Sequence, residues 1–397
     1  MTVTASITTI DPLDGALRAT DPRVSMTVLP RWSQGLLTTL TGRPLDGQER
    51  RFKWTPAFHV AGGLANLVVG LAAGLWLARS SYWWALPLAW VVMLHGMRNL
   101  RMMILHQSSH GNLFRRPGLD KFFGRLVTGM LVVQNYKTYS AEHVEDHHAV
   151  RHMTLSDPTV QAMLVGLGLS PKMTTDQMWA RLRGRLLSPV FHLRFSWSRL
   201  RSFIAGAHWV EILICLLLQG GLLVGGWFTG HLLAVLLAWF LPLTVFYQVS
   251  NTLRLCVKHT FPAPGHALKG KAHFGSLTNA IFMGETLPSG FLPRVRWVLR
   301  TAFVHAPARY LVLTGDTVVH DFHHRNPRTK NWADYIYARH ADAARQDTGW
   351  PSYTGVWGLH AGIQRVFESL AAADPTEYDA ALIARVSDRN IFSAFDD

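Results

Sequence analysis

Two long stretches almost free of formal charge limit what this chain can fold into. From Trp54 to Met97 the one charged residue is Arg79, and from Ser202 to Leu253 it is Glu211. A helix crosses a bilayer with about 20 apolar residues, so each tract has room for two crossings joined by a short turn. The expected spans are 57–78, 82–97, 209–228 and 232–249, paired as two hairpins by the turns 79–81 and 229–231. The competing explanation is a soluble protein with buried helical hairpins. Tyr82, Trp83, Trp84, Trp209 and Trp227, near the expected span ends, argue for the membrane, where aromatic rings gather at the interface. The expected fold class is therefore all-α and integral to the membrane, with a helical cap on the cytoplasmic side.

Charge gives the orientation. The formal net charge is +14, and the cations flank the spans: Arg50, Arg51 and Lys53, then Arg98 and Arg101, then Arg194, Arg199 and Arg201, then Arg254 and Lys258. The two turns carry only Arg79. Loops rich in Lys and Arg stay in the cytoplasm, so both termini and the large loops are expected there. A basic chain can also signal nucleic acid, but here the charge follows the span ends and no nucleic-acid module is recognisable. Residues 179–203 interleave Arg with Leu, Val, Phe and Trp, which fits an interfacial helix on anionic lipid or a solvated basic face. Residues 1–53 read as an irregular cytoplasmic tail, 54–326 as the membrane domain and 327–397 as a cytoplasmic cap. The N-terminus lacks a signal-peptide pattern. Two cysteines, Cys215 and Cys256, provide neither a disulfide framework nor a thiolate metal site.

The polar residues that stand out are histidines, of which there are 20. HQSSH places His106 and His110 at i and i+4. HVEDHH places His143, His147 and His148 at i, i+4 and i+5. HDFHH places His320, His323 and His324 at i, i+3 and i+4, and His259 continues the fourth span outward. On a helix, residues three and four apart share a face. One such cluster can be chance surface polarity; three in order point to metal. Imidazole without thiolate suits iron, copper or zinc, and eight or nine ligands are enough for two ions. The few nearby carboxylates suit an outer shell that orients imidazoles. His152, Asp157, Asp316 and Asn251 are candidates for such positions. A two-zinc hydrolase would normally carry bridging carboxylates, and no HExxH is present.

These boxes, in this order, resemble those of the membrane fatty acid desaturase and hydroxylase superfamily: HxxxH, then HxxHH or HxxxHH, then HxxHH. The segment NTLRLCVKH resembles an Asn-x-x-Arg-(x)4-His stretch found after the second hairpin in many bacterial members. The resemblance spans about Trp54 to Asn326. It implies two non-haem irons held by His106, His110, His143, His147, His148, His259, His320, His323 and His324. It also implies O2 as co-substrate and oxidation of an unactivated C–H bond to an alkene or an alcohol. A fatty acyl lipid or acyl thioester is the implied substrate, in a bacterial inner membrane with the site facing the cytoplasm. Two features depart from the family pattern: the longer spacing of the second box, and HHRNPRTKNWADY in place of a Pro-rich continuation. They keep open a hydroxylase or desaturase of a specialised metabolite.

Two other classes fit less well. A metal transporter needs ligands near the bilayer midplane, and a membrane haem protein needs histidine pairs inside the spans. Turnover would need two external electrons. The chain has no dinucleotide fingerprint, no iron–sulfur cysteine set and no fused cytochrome b5 motif. A ferredoxin or cytochrome b5 with its reductase is therefore the expected partner, with membrane lipids and an aliphatic substrate. Arg115, Arg116, Lys121, Arg125, Arg151 and Arg325 offer a basic docking face, because opposite charge steers encounter.

Overall fold

The apolar tracts form helices, as their composition requires. The protein was studied as a computed structural model that describes residues 8–9, 21–148, 151–265, 269–345, 349–386 and 395. Among the described residues, three helices are long and apolar enough to cross a membrane: Pro56–Leu77, Trp209–Phe228 and Leu232–Lys258. The expected span 82–97 corresponds to the helix Leu86–Asn99, which runs on through a π-helical turn, Leu100–Leu105, and a last helical turn, His106–Ser109. His95, Arg98 and Arg101 interrupt its apolar run.

The chain divides into two compact units. The larger comprises Pro56–Leu255 with Pro375–Asp397. Its first hairpin closes tightly because glycine stands where the helices meet. A Cβ on Gly70 would lie 2.6 Å from the Met93 nitrogen, and one on Gly96 would lie 2.6 Å from the Leu67 nitrogen. Small residues let apolar helices approach where lipid supplies no hydrophobic drive. Several polar groups in the apolar region are satisfied within the protein, as hydrocarbon demands. Trp90 Nε1 donates to the Leu237 carbonyl at 2.9 Å, and Trp239 Nε1 donates to Gln219 Oε1 at 2.7 Å. Glu211, the lone carboxylate of the second tract, is buried and accepts from Thr128 Oγ1, Tyr136 N and His208 N.

Several cations that flank the expected spans are turned into the protein. Arg98, Arg101, Arg199, Arg254 and Lys258 are buried. Arg199, expected on a lipid-facing helix, lies on the inward side of Pro189–Ile204 and donates to the carbonyls of Leu243 and Leu131. Its neighbours Leu193, Trp197 and Ile204 do face outward.

The smaller unit comprises Met1–Thr55 with Cys256–Asp374. Of the expected irregular tail, residues 1–7 and 10–20 lie outside the described residues. The remainder of that tail is partly helical, at Pro22–Ser25 and Gln34–Thr41. Buried Arg23 ties these helices together, donating to Gln34 Oε1 at 2.8 Å and to the Arg43 carbonyl at 3.0 Å. The expectation of an all-α fold misses a small three-stranded sheet. Thr354–Trp357 lies at its centre, antiparallel to Thr8–Thr9 and parallel to Ala280–Phe282. Its pairings are Thr8 with Gly355 and Ala280 with Gly355. The protein is otherwise mostly helical. The expected C-terminal cap is divided as well. Residues from 375 onward belong with the larger unit, where Tyr378 donates to the Met153 carbonyl and Phe395 packs on Phe191 and Phe195.

Candidate metal centre

In the larger unit the first two boxes meet. The π turn Leu100–Leu105 delivers His106 to a final helical turn, where Nδ1 lies 3.2 Å from the Met102 carbonyl. The second box comes after the helix Tyr136–Ala141 and lies on another π turn, Glu142–His147, with the His148 amide donating to the His143 carbonyl at 3.1 Å. That i→i+5 bond is the mark of π geometry. It brings residues five apart onto one face, as an α-turn does for residues four apart. His143 and His148 therefore converge, with ring centroids 4.7 Å apart. The ligating nitrogens of His106, His110, His143 and His148 all lie within 4.8 Å of one another, and Nε2 of His143 is 3.1 Å from Nε2 of His110.

His147 turns away from that group. Its Nδ1 lies 3.2 Å from Asp157 Oδ1, and His152 Nδ1 lies 3.1 Å from the His147 carbonyl. Asp157 is itself fixed by the amides of Met153 at 2.6 Å and Thr159 at 2.8 Å. Met153 adopts φ 54°, a left-handed conformation uncommon outside glycine and held here by the structure around it. Burial pushes the Asp157 carboxyl up, but His147, His152 and the Met153 amide together hold it below the usual carboxylate value. His143 is held well below the ordinary imidazole value, first by burial and then by the surrounding His106, His148, His110 and His147. Neutral imidazole is the ligating form.

The smaller unit builds the third box differently. His320–Arg325 is a single short α-helix. His320 and His324 converge with His259, at 3.1 Å between Nε2 of His320 and His259 and 3.0 Å between Nε2 of His324 and His320. All three are buried. His323 again turns aside, its Nδ1 4.0 Å from Asp316 Oδ2. Asp321 anchors the helix through a buried, two-pronged pair with Arg339, at 2.8 and 2.6 Å. Sequence reading missed Arg339, 18 residues away along the chain, since nothing local marks it as the partner of a box residue.

Of the outer candidates, Asp157 and His152 touch His147, and Asp316 stands beside His323. Asn251 instead accepts from Arg98. Of the expected docking cations, Arg325 is half-buried and stacks over Tyr353 at 3.5 Å, whereas Arg115, Arg116, Lys121 and Arg151 are exposed. Both clusters consist of imidazole alone, a donor set that suits iron, copper or zinc and could hold a metal ion in each unit.

None of the curated proteins matches the chain. Residues 81–289, more than half of it, match the family model for fatty acid desaturases. That stretch contains the first two boxes and His259, and it ends before the third box. With its membrane-length helices and buried imidazole clusters, the chain belongs to the fatty acid desaturase family and is an integral membrane oxidoreductase of the desaturase and hydroxylase type.

Proposed function

We propose that the protein is an O2-dependent di-iron oxidoreductase acting on a fatty acyl chain, with desaturation as its reaction. The observation that carries this reading is the gathering of the three boxes and His259 into buried all-imidazole clusters in a chain of this family. His106, His110, His143, His147, His148, His259, His320, His323 and His324 would hold two irons. Iron bound there supplies O2 activation and the oxidising power to break an unactivated C–H bond. The protein's own part is orientation and exclusion of water. Asp157 fixes the tautomer and direction of His147 by accepting from Nδ1, and Asp316 is positioned to do the same for His323. Burial and the surrounding imidazoles hold His143 below the ordinary imidazole value, in the neutral form that ligates.

Four spans in two hairpins, with both termini and the site in the cytoplasm, complete the proposal. In this reading Leu86–Asn99 and its continuation form the second span. The exposed cations Arg51, Lys53, Arg194 and Arg201 support the orientation. A reporter fused after Asp397 should read as cytoplasmic and one inserted at Ser80 as external. Electrons would come from a ferredoxin or cytochrome b5 docking near Arg115, Arg116 and Lys121. Turnover that persists when the ferredoxin is left out of a reconstituted system would contradict that part.

The deciding experiment is lipid profiling of cells with and without the protein. A new double bond in an acyl chain is expected. A new hydroxyl would make the enzyme a hydroxylase. No change in any acyl chain would move the substrate to a specialised metabolite.

A further inference from the structure

Two amphipathic helices of the smaller unit point opposite ways. Leu359–Ala371 turns its apolar side in, where Ile363, Val366, Phe367 and Leu370 are buried. Phe291–Arg300 turns its apolar side out. Phe291, Val295 and Leu299 recur every fourth residue and so share one face, with Leu292 and Val298 beside them. All five are exposed, Phe291 at 78% and Leu292 at 76%. Phe303 extends the stripe into the π turn Thr301–His305 and is 75% exposed. The opposite side holds the helix to its unit through Trp297, which is buried with Met26 and Leu37 and donates from Nε1 to the Glu285 carbonyl at 2.9 Å.

Charge is arranged around this stripe. By the turn of an α-helix, Arg294 falls on one border and Arg296 and Arg300 on the other. Arg294 and Arg296 are exposed, and Arg300 pairs with Glu285 at 2.8 Å. From residue 286 to 315 the sequence holds four arginines and no carboxylate. The fourth, Arg309, points inward and donates to the carbonyls of Thr39 and Leu313. A continuous outward apolar face with a polar rim marks a contact surface. A second copy docked on this face would set arginine against arginine. An anionic bilayer surface suits both features: the apolar side chains enter the acyl boundary, and guanidinium groups on long stems reach the headgroup phosphates. The chain carries helices of membrane length, so such a surface is close at hand.

We infer that Phe291–Arg300, with Phe303, lies in the lipid surface and that Arg294 and Arg296 select anionic headgroups there. The contact gives the smaller unit, which carries His259, His320 and His324, its own hold on the lipid. It stands on the exposure of the apolar face and the cations that border it, and requires neither iron nor any particular reaction.

The test uses the full-length protein in nanodiscs, with Cys215 and Cys256 replaced by alanine and a nitroxide attached to a single new cysteine. Leu299→Cys and Phe303→Cys report on the stripe. Leu217→Cys, exposed on the membrane-length helix Trp209–Phe228, is the lipid reference, and Glu368→Cys, exposed on Leu359–Ala371, is the water reference. Relaxation by oxygen reads contact with lipid, and relaxation by a nickel chelate reads contact with water. In discs of phosphatidylcholine and phosphatidylglycerol the labels at 299 and 303 should lose nickel access and resemble the label at 217. In phosphatidylcholine alone they should regain part of it. Arg294→Gln with Arg296→Gln should erase the difference between the two lipids. Because every substituted position on the helix is exposed, these changes leave its packing through Trp297 in place. Nickel access at 299 and 303 equal to that at 368 in both lipids would overturn the inference. So would labels shielded from oxygen and nickel alike, which would mean that protein, such as a second copy, covers the stripe. Immersion that ignores both lipid charge and the two arginines would overturn the selection of anionic headgroups. None of these results bears on the desaturase reading, which lipid profiling tests separately.

Discussion

The second and third histidine boxes reach one outcome by different backbones. In the larger unit a π turn converges His143 and His148, five residues apart, and sends His147 toward Asp157. In the smaller unit an α-turn converges His320 and His324, four residues apart, and sends His323 toward Asp316. The extra residue that makes the second box unusual is absorbed by the wider turn, and the division of labour among its histidines is unchanged. The supports differ more. The second box leans on a carboxylate held by the backbone amides of Met153 and Thr159. The third is clamped by the Asp321–Arg339 pair.

The largest effect should come from a converging histidine in either box. His143→Ala and His320→Ala should each abolish turnover and lower bound iron, while membrane insertion persists. Measurable turnover in either variant would separate the boxes functionally. Next comes the clamp on the third box. Arg339→Met leaves Asp321 buried and uncompensated, and breaking such a pair costs about 3–5 kcal/mol. Denaturation in detergent should show that loss, and a neutral variant would make the clamp dispensable. The outer carboxylates come third. Asp157→Ala should weaken iron binding by about 10–100-fold. Asp316→Ala should fall at the low end of that range, because its contact is 4.0 Å against 3.2 Å. Iron competition with a chelator measures both. The smallest effect is the most specific to the comparison. Deleting Val144 gives the second box the spacing of the third, and the π turn can close to an α-turn. Most iron should be retained, whereas deleting Phe322 from the third box should destroy its cluster.

The boxes were legible from spacing alone, because side-chain periodicity on a helix is short-range information. Which histidine of each box turns aside was not, since that depends on carboxylates 10 and seven residues away from His147 and His323 and on how the backbone winds. Arg98, Arg101 and Arg254 flank the expected spans, but which way their side chains face was not legible, because sequence gives charge and not direction. All three are inside the protein. The strand Ala280–Phe282 was missed because three residues between Gly- and Pro-rich segments carry too little periodicity. Its partner, Thr354–Trp357, lies far along the chain. The apolar tracts predicted three of four spans as helices long enough to cross. The span expected at 82–97 is not among them, because His95, Arg98 and Arg101 interrupt its apolar run although the helix continues to Ser109.

The central claim is that histidines alone hold two irons, and metal analysis of the purified protein tests it directly. About two non-haem irons per chain are expected from an all-imidazole donor set of this size, without a Soret band and with little zinc. Pairing His106→Ala with His143→Ala should remove one of them. One iron per chain, zinc in its place, or a haem spectrum would contradict the account.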